Sequence, residues 1–276
     1  SSGSPAGGGV LVPGQLARES DVFAVSSPLD LRGKRALVTG AGRRVGRAIA
    51  LALGREGMRV ALHYHASRGG AEETLAAIRA SSGDGVLLEA DLSERDEARR
   101  LVDRAVEAQG GLDLLVASAA NFDRVRIDDV DDAVWDRALD LNLSAQFALA
   151  QRAIGPLRAS QGSMVFITCL SATTPFRNYL PYVVSKGALR QLMRTLSLEL
   201  APLVRVNAVA PGTVLPPESS SAQSIERLAR RTPLARTGSA EDVAQAVVYL
   251  ARAPFVTGVE LLVDGGRAVA GIEGAE

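Results

Sequence analysis

The segment Arg35–Ala50 restricts the possible folds of this chain more than any other. It opens on a short apolar, β-branched run, Ala36-Leu37-Val38-Thr39, which reads as a buried parallel strand. The chain then turns through Gly40 and Gly42. Past Gly46, apolar residues recur at helical spacing: Val45, Ile49, Ala52 and Leu53. Strand, glycine turn and helix is the layout that aims the unpaired N–H groups of a helix N-terminus at a phosphate. Two of the glycines let the main chain turn and approach a pyrophosphate, and the third lets the helix lie close on the sheet. The segment therefore predicts a dinucleotide site.

The remainder alternates in the same way, as a parallel sheet covered on both faces requires. Strand signals stand at Arg59–Tyr64, Val86–Ala90, Asp113–Val116, Met164–Thr168, Val204–Asn207 and Glu260–Val263. Between them lie helical patterns over Glu72–Ala80, a helix with a capping-box-like start at Ser93 and Asp96 that ends at Gly110-Gly111, a long helix from about Asp132 to Ile154, and one through Tyr182 to Leu200. Ser239 and Asp242 cap a last helix. The expected fold is α/β: a single Rossmann-type domain over residues 29–276, with a doubly wound parallel sheet of about seven strands. Residues 1–28, rich in Gly, Ser and Pro, read as a flexible leader. Residues 213–233, rich in Pro and Ser, are long enough to be a substrate loop.

Composition narrows the partners. Lys plus Arg and Asp plus Glu both number 31, so no bulk field recruits nucleic acid or an acidic membrane. One cysteine excludes an internal disulfide, and two histidines show no zinc-ligand spacing, so no metal centre is expected. No apolar run approaches the ~18 residues of a membrane span. No secretory signal is visible, and the expected compartment is the cytoplasm.

Tyr182 and Lys186 stand at i and i+4 at the start of a helix, which places phenol and ammonium on one face. A nearby cation stabilises phenolate and draws the tyrosine's pKa down, and such a tyrosine can give a proton to a forming alkoxide or amide anion.

The chain from Leu31 to Arg267 resembles the short-chain dehydrogenase/reductases, on Thr39-Gly40…Gly46, Asp91, Asn142, Tyr182-x-x-x-Lys186, Pro211-Gly212 and Val263-Asp264-Gly265-Gly266 in family order. The resemblance implies Tyr182 as general acid and Lys186 on the nicotinamide ribose, lowering the tyrosine's pKa. It implies Asn142 in a helix bend that orients a relay water, Asp91-Leu92 at the adenine, Pro211-Gly212 beside the nicotinamide, and a homotetramer. The glycine loop carries Arg44 where most of the family has a glycine, as the pteridine reductases do. His63-Tyr64-His65-Ala66-Ser67, Ala90-Asp91-Leu92-Ser93 and Pro211–Glu218 are similar to the same branch. That branch implies NADPH-dependent reduction of a C=N bond in a pterin or dihydrofolate-like small molecule, with Phe122 stacking on the ring and Arg44 near both the phosphates and the substrate.

Cofactor choice also follows from charge. A carboxylate at the end of the second strand would repel a 2′-phosphate. His65, Ser67 and Arg68 stand there instead, with Arg43 in the glycine turn, and two charge-assisted bonds would favour NADPH over NADH by more than about a hundredfold. The pteridine reductases' arginine after this histidine is Ala66 here, so Arg68 or Arg43 must substitute. Two positions depart further. The usual Asn-Asn-Ala-Gly after the fourth strand reads Ala117-Ser118-Ala119-Ala120, removing amides that brace the sheet edge. Cys169 occupies the place of the family's catalytic serine, where the pteridine reductases have aspartate; Ser171 stands two residues on, and either could take the role. The alternatives to the pterin reading are a reductase of ketoacyl, polyketide or aldehyde carbonyls, and a scaffold or sensor that binds NADP(H) without turnover.

Overall fold

The computed structural model describes residues 27–214 and 221–270. The expected leader falls outside the described residues except for Ser27 and Pro28, as do residues 215–220 of the expected substrate loop. Seven parallel strands form one sheet in the order β3-β2-β1-β4-β5-β6-β7. They are β1 Arg35–Val38, β2 Arg59–Tyr64, β3 Asp84–Glu89, β4 Leu114–Ala117, β5 Ser163–Ile167, β6 Arg205–Pro211 and β7 Glu260–Val263. Val38 pairs with Leu62 on one side and Val116 on the other, so the strand order reverses at β1. A ligand crevice belongs at that reversal, beyond the carboxyl ends of the strands.

The helices divide between the two faces. On one, α1 (Arg44–Arg55), α2 (Arg68–Ala80) and α8 (Ala240–Arg252) bury Ile49, Leu53, Ile78, Val243, Val247 and Leu250 against Val38, Val60 and Val165. On the other, α3 (Arg95–Gln109), α5 (Ala145–Ser160) and α6 (Leu180–Leu200) bury Leu101, Leu149, Leu157, Leu189 and Met193 against Leu37, Leu115 and Phe166. Small side chains (Ala98, Ala105, Ala145, Ala148, Ala153) let α3 and α5 lie close together. The expected single doubly wound domain is the fold observed.

Four local expectations are corrected. The helix after β2 starts at Arg68 rather than Glu72, because Gly70 carries no Cβ and its turn can close on the Gly42 carbonyl. The Ser93–Asp96 box does not form. The Ser93 amide and hydroxyl both donate to Asp91 Oδ1, at 2.9 and 2.8 Å, and Glu94 opens α3 without a side-chain cap. The long helix from Asp132 is interrupted: α4 (Asp132–Leu139) passes into a π-helical turn, Asp140–Ser144, before α5 begins. β6 runs on to Pro211, four residues past the expected Asn207, because Ala208–Pro211 pair with β7. The Ser239–Asp242 capping box of α8 is present. The segment 213–233 contains α7 (Ala222–Arg230).

Candidate active site

The glycine turn leaves the carboxyl end of β1 and feeds α1. A Cβ on Gly46 would overlap the Gly40 carbonyl oxygen, so only glycine allows α1 to start so close to the turn. At the N-cap of α1, Arg43 makes no side-chain cap, and no acidic residue lies in the first turn. The start of the helix thus carries no Arg43 side-chain cap and no carboxylate in its first turn to compete with a diphosphate. The cradle fits a dinucleotide. Arg43 and Arg44 are exposed and Val45 is half-buried beside them. Arg44 holds a left-handed φ of 50°, the conformation a glycine would adopt there without strain.

His63, quoted in the sequence only as part of a motif, locks this turn to its neighbours. Its Nδ1 accepts from the Gly40 amide at 3.1 Å and its Nε2–H donates to the Ala90 carbonyl at 3.1 Å. Both bonds require the neutral ring with its proton on Nε2. Burial, above all, pulls its pKa down to about 4.

The tip of β2 carries no carboxylate. His65 and Arg68 are exposed and Ser67 is half-buried. Arg68 Nε donates to Glu72 at 3.0 Å within α2. His65 Nε2 lies 3.9 Å from Asp91, whose carboxyl is held below its ordinary pKa by the two Ser93 bonds, while Leu92 is buried beneath. Pro211-Gly212 sits at the end of β6, where the Gly212 amide donates to the Val263 carbonyl at 2.9 Å.

The Tyr182–Lys186 pair is buried at the start of α6, where Pro181 fixes the first turn. Lys186 Nζ donates to the Ile167 carbonyl at 2.8 Å and lies 5.7 Å from the centroid of the Tyr182 ring. Burial draws its pKa down to about 8. Tyr182 departs from expectation. Its pKa is raised well above the ordinary value, first by burial and then by the Cys169 thiol against its hydroxyl. Desolvation of the phenolate outweighs a cation placed against the ring and engaged with a carbonyl. The geometry also separates Cys169 from Ser171. Cys169 is half-buried beside Tyr182 and its Sγ accepts from the Ser171 amide at 3.4 Å, whereas Ser171 is buried with its hydroxyl unpaired among the described residues.

Asn142 occupies the π-turn and is fully buried. Its Oδ1 accepts from the Asn121 amide at 3.0 Å, and its Nδ2 donates to Asn121 Oδ1 at 2.8 Å. Asn121 in turn donates to the Arg137 carbonyl at 2.9 Å. The expectation that Ala117–Ala120 leaves the sheet edge unbraced is therefore corrected. Thr39 Oγ1 accepts from the Ser118 and Ala119 amides at 2.9 Å each, Gln146 donates to the Ala119 carbonyl at 2.9 Å, and Asn121 supplies the amide group. Asn121 stands one residue beyond the altered motif, and reading the strand's exit one position further would have found it.

Aromatic rings form the mouth. Phe122 stacks on Tyr179 (4.5 Å, 13°) and meets Tyr182 edge-on at 4.7 Å, with half its surface exposed. Phe176 meets Tyr179 edge-on. Arg267, named in the sequence only as the end of the resemblance and given no role, lies 5.7 Å from the centroid of the Phe176 ring and donates to Thr213 Oγ1. Among the described residues no His, Cys, Asp or Glu cluster could hold a metal, and no helix is long and apolar enough to cross a membrane.

A family model described as enoyl-(acyl carrier protein) reductase matches residues 40–268, taking in the glycine turn, Tyr182-x-x-x-Lys186 and the strand β7 end. The chain belongs to the short-chain dehydrogenase/reductase family. A Streptomyces violaceoruber protein described as ketoacyl reductase 2 of the granaticin polyketide synthase is 40% identical over 239 residues, 84% of this chain and 94% of that protein. The 3-oxoacyl-(acyl-carrier-protein) reductase FabG of Staphylococcus aureus is 33% identical over 84% of this chain and 97% of its own. Among solved structures, an NADH-dependent reductase of alginate metabolism, A1-R′, superposes with a TM-score of 0.80 at 32% identity, covering 86% of this chain and 98% of that one. These relatives favour the carbonyl alternative over the pterin reading that Arg44 and Phe122 suggest.

Proposed function

We propose that this chain reduces the carbonyl of a ketoacyl or polyketide-type small molecule, with NADPH as hydride donor. The observation that carries the reading is Tyr182, a buried phenol held as the neutral acid beside Cys169 and Lys186 under an open aromatic mouth. When bound, NADPH would supply the hydride chemistry at the carbonyl carbon, and the chain's own residues handle the proton. Tyr182 gives its hydroxyl proton to the carbonyl oxygen as that oxygen becomes an alkoxide. Lys186, with its pKa near 8, is cationic at neutral pH and stabilises the phenolate left behind. Cys169 orients the Tyr182 hydroxyl and donates weakly to the same oxygen. Asn142 fixes the junction of α4 and α5 and with it the position of a relay water.

The glycine turn, the α1 N-terminus, Asp91-Leu92, Lys186 and Pro211-Gly212 hold the nucleotide. The preference for NADPH rests on the β2 tip, where Arg43, His65, Ser67 and Arg68 gather; the carboxylates near them, Glu72 on Arg68 and Asp91 by His65, form exposed pairs that yield at little cost. The family resemblance implies a homotetramer, which sizing in solution tests. The decisive experiment follows oxidation of NADPH and NADH against β-ketoesters, ketoacyl thioesters and dihydropterins. β-Keto substrates are expected to turn over, and Tyr182→Phe is expected to lose about 10²–10⁴-fold in kcat while still binding NADPH. Turnover of dihydropterins alone would restore the C=N reading. Tight nucleotide binding without oxidation by any of them would leave a scaffold.

A further inference from the structure

Arg267 is a cation that the proposed reaction leaves without a task. It follows β7, in a turn where Asp264 accepts from the Gly266 and Ala268 amides at 2.9 and 2.7 Å. Those bonds fix the main chain on both sides of Arg267. Its guanidinium is half-buried and spans two walls of the mouth: it donates to Thr213 just past the β6 end, and it packs over Phe176 from the segment that begins at Cys169. Among the described residues no carboxylate stands within ion-pair distance of it, whereas Asp30, Asp113, Glu260 and Asp242 each hold an arginine partner elsewhere. Burial first, and then the like-signed Arg231 beyond α7, lower the Arg267 pKa, while the more weakly coupled Asp264 carboxylate, engaged by the Gly266 and Ala268 amides, raises it. Cys169, against the reacting phenol, is close enough to interact with the same guanidinium. A desolvated, positioned guanidinium with vacant N–H groups, reinforced by a second cation, is a fork for an oxyanion.

We propose that Arg267 determines specificity by binding a carboxylate or phosphate carried a few bonds from the carbonyl that is reduced. The class of substrate is a short oxo acid or oxo phosphate. Phe176 fixes the plane of the guanidinium, and Thr213 occupies one of its N–H groups and leaves the others for the anion. The inference rests on the carbonyl-reductase reading.

The test compares acetoacetate, dihydroxyacetone phosphate and the neutral methyl acetoacetate in the full chain with NADPH, in wild type, Arg267→Met and Arg267→Lys. The expected result is a preference for one of the anions. Its kcat/KM in Arg267→Met falls about 10–100-fold more than that of the ester, mainly through KM, with partial recovery in Arg267→Lys. Whichever anion shows the dependence identifies the oxyanion. Equal losses on all three substrates would make Arg267 a packing residue, and no loss on any would remove it from the site; either overturns the inference. Titration of β-hydroxybutyrate and glycerol phosphate into the NADPH complex separates this result from the reaction itself. Arg267-dependent binding without turnover of any carbonyl would keep the oxyanion site and refute the reductase reading. Binding unaffected by Arg267→Met would refute the site.

Discussion

Acidification acts on the His63 latch, and its effect on stability follows from the geometry. The ring bridges the Gly40 amide and the Ala90 carbonyl in the neutral form, and burial lowers its pKa from 6.5 to about 4. A folded pKa below the unfolded one means that the unfolded chain binds the extra proton first. Stability from this group is complete above pH 6.5 and is lost as pH falls towards 4. The gap of about 2.5 pKa units, at 1.36 kcal/mol each, bounds the loss at about 3 kcal/mol, of which roughly 2 kcal/mol is gone by pH 5. Urea midpoints at pH 7.5, 6 and 5 measure it, with His63→Gln as the reference that cancels every other titrating group. The variant is less stable at pH 7.5, and its disadvantage shrinks by about 2 kcal/mol by pH 5. Parallel loss in both proteins would refute the reasoning. So would an imidazole found by NMR to titrate near 6.5.

Gly46→Ala drives a Cβ into the Gly40 carbonyl, so nucleotide binding measured by fluorescence quenching should fall at least tenfold, with a loss of stability of about 1–3 kcal/mol. Cys169→Ser replaces a weak donor by a stronger one beside Tyr182 and is expected to match or exceed wild-type kcat, while Cys169→Ala loses about tenfold; steady-state turnover of a β-ketoester decides. Asn142→Ala removes the buried partner of the half-buried Asn121 amide and side chain and should lower stability by about 1–2 kcal/mol, read as a shift in urea midpoint.

The fold was legible because the strands are short apolar runs separated by glycine turns and helical periodicity, signals that each sit within a dozen or so residues. The family-order residues likewise marked the Tyr182–Lys186 pair and the glycine cradle before any coordinates. What escaped depends on contacts distant in the chain. His63 becomes a latch only when β2 lies between the glycine turn and β3. The raised pKa of Tyr182 reflects burial, which i,i+4 spacing does not encode. Asn121 compensates for the altered strand exit through a π-turn that periodicity smooths into one continuous helix. Arg267 reaches the mouth through a turn after the last strand, and no pattern near it announces a cleft.

The π-turn at Asp140–Ser144 has a consequence for how the protein could change. A single deletion there would let α4 and α5 fuse into one regular rod, with every main-chain bond satisfied. The residues beyond the deletion would swing by about 100°, the rotation of one helical position, and the amide at 142 would leave Asn121. Such a shortened chain would also carry Leu149 and Leu157 of α5 away from the sheet they pack on, and would lose stability as well as the Asn142 contact. The extra residue in the turn thus sets two things at once, the seating of α5 on the sheet and the place of Asn142 beside Asn121.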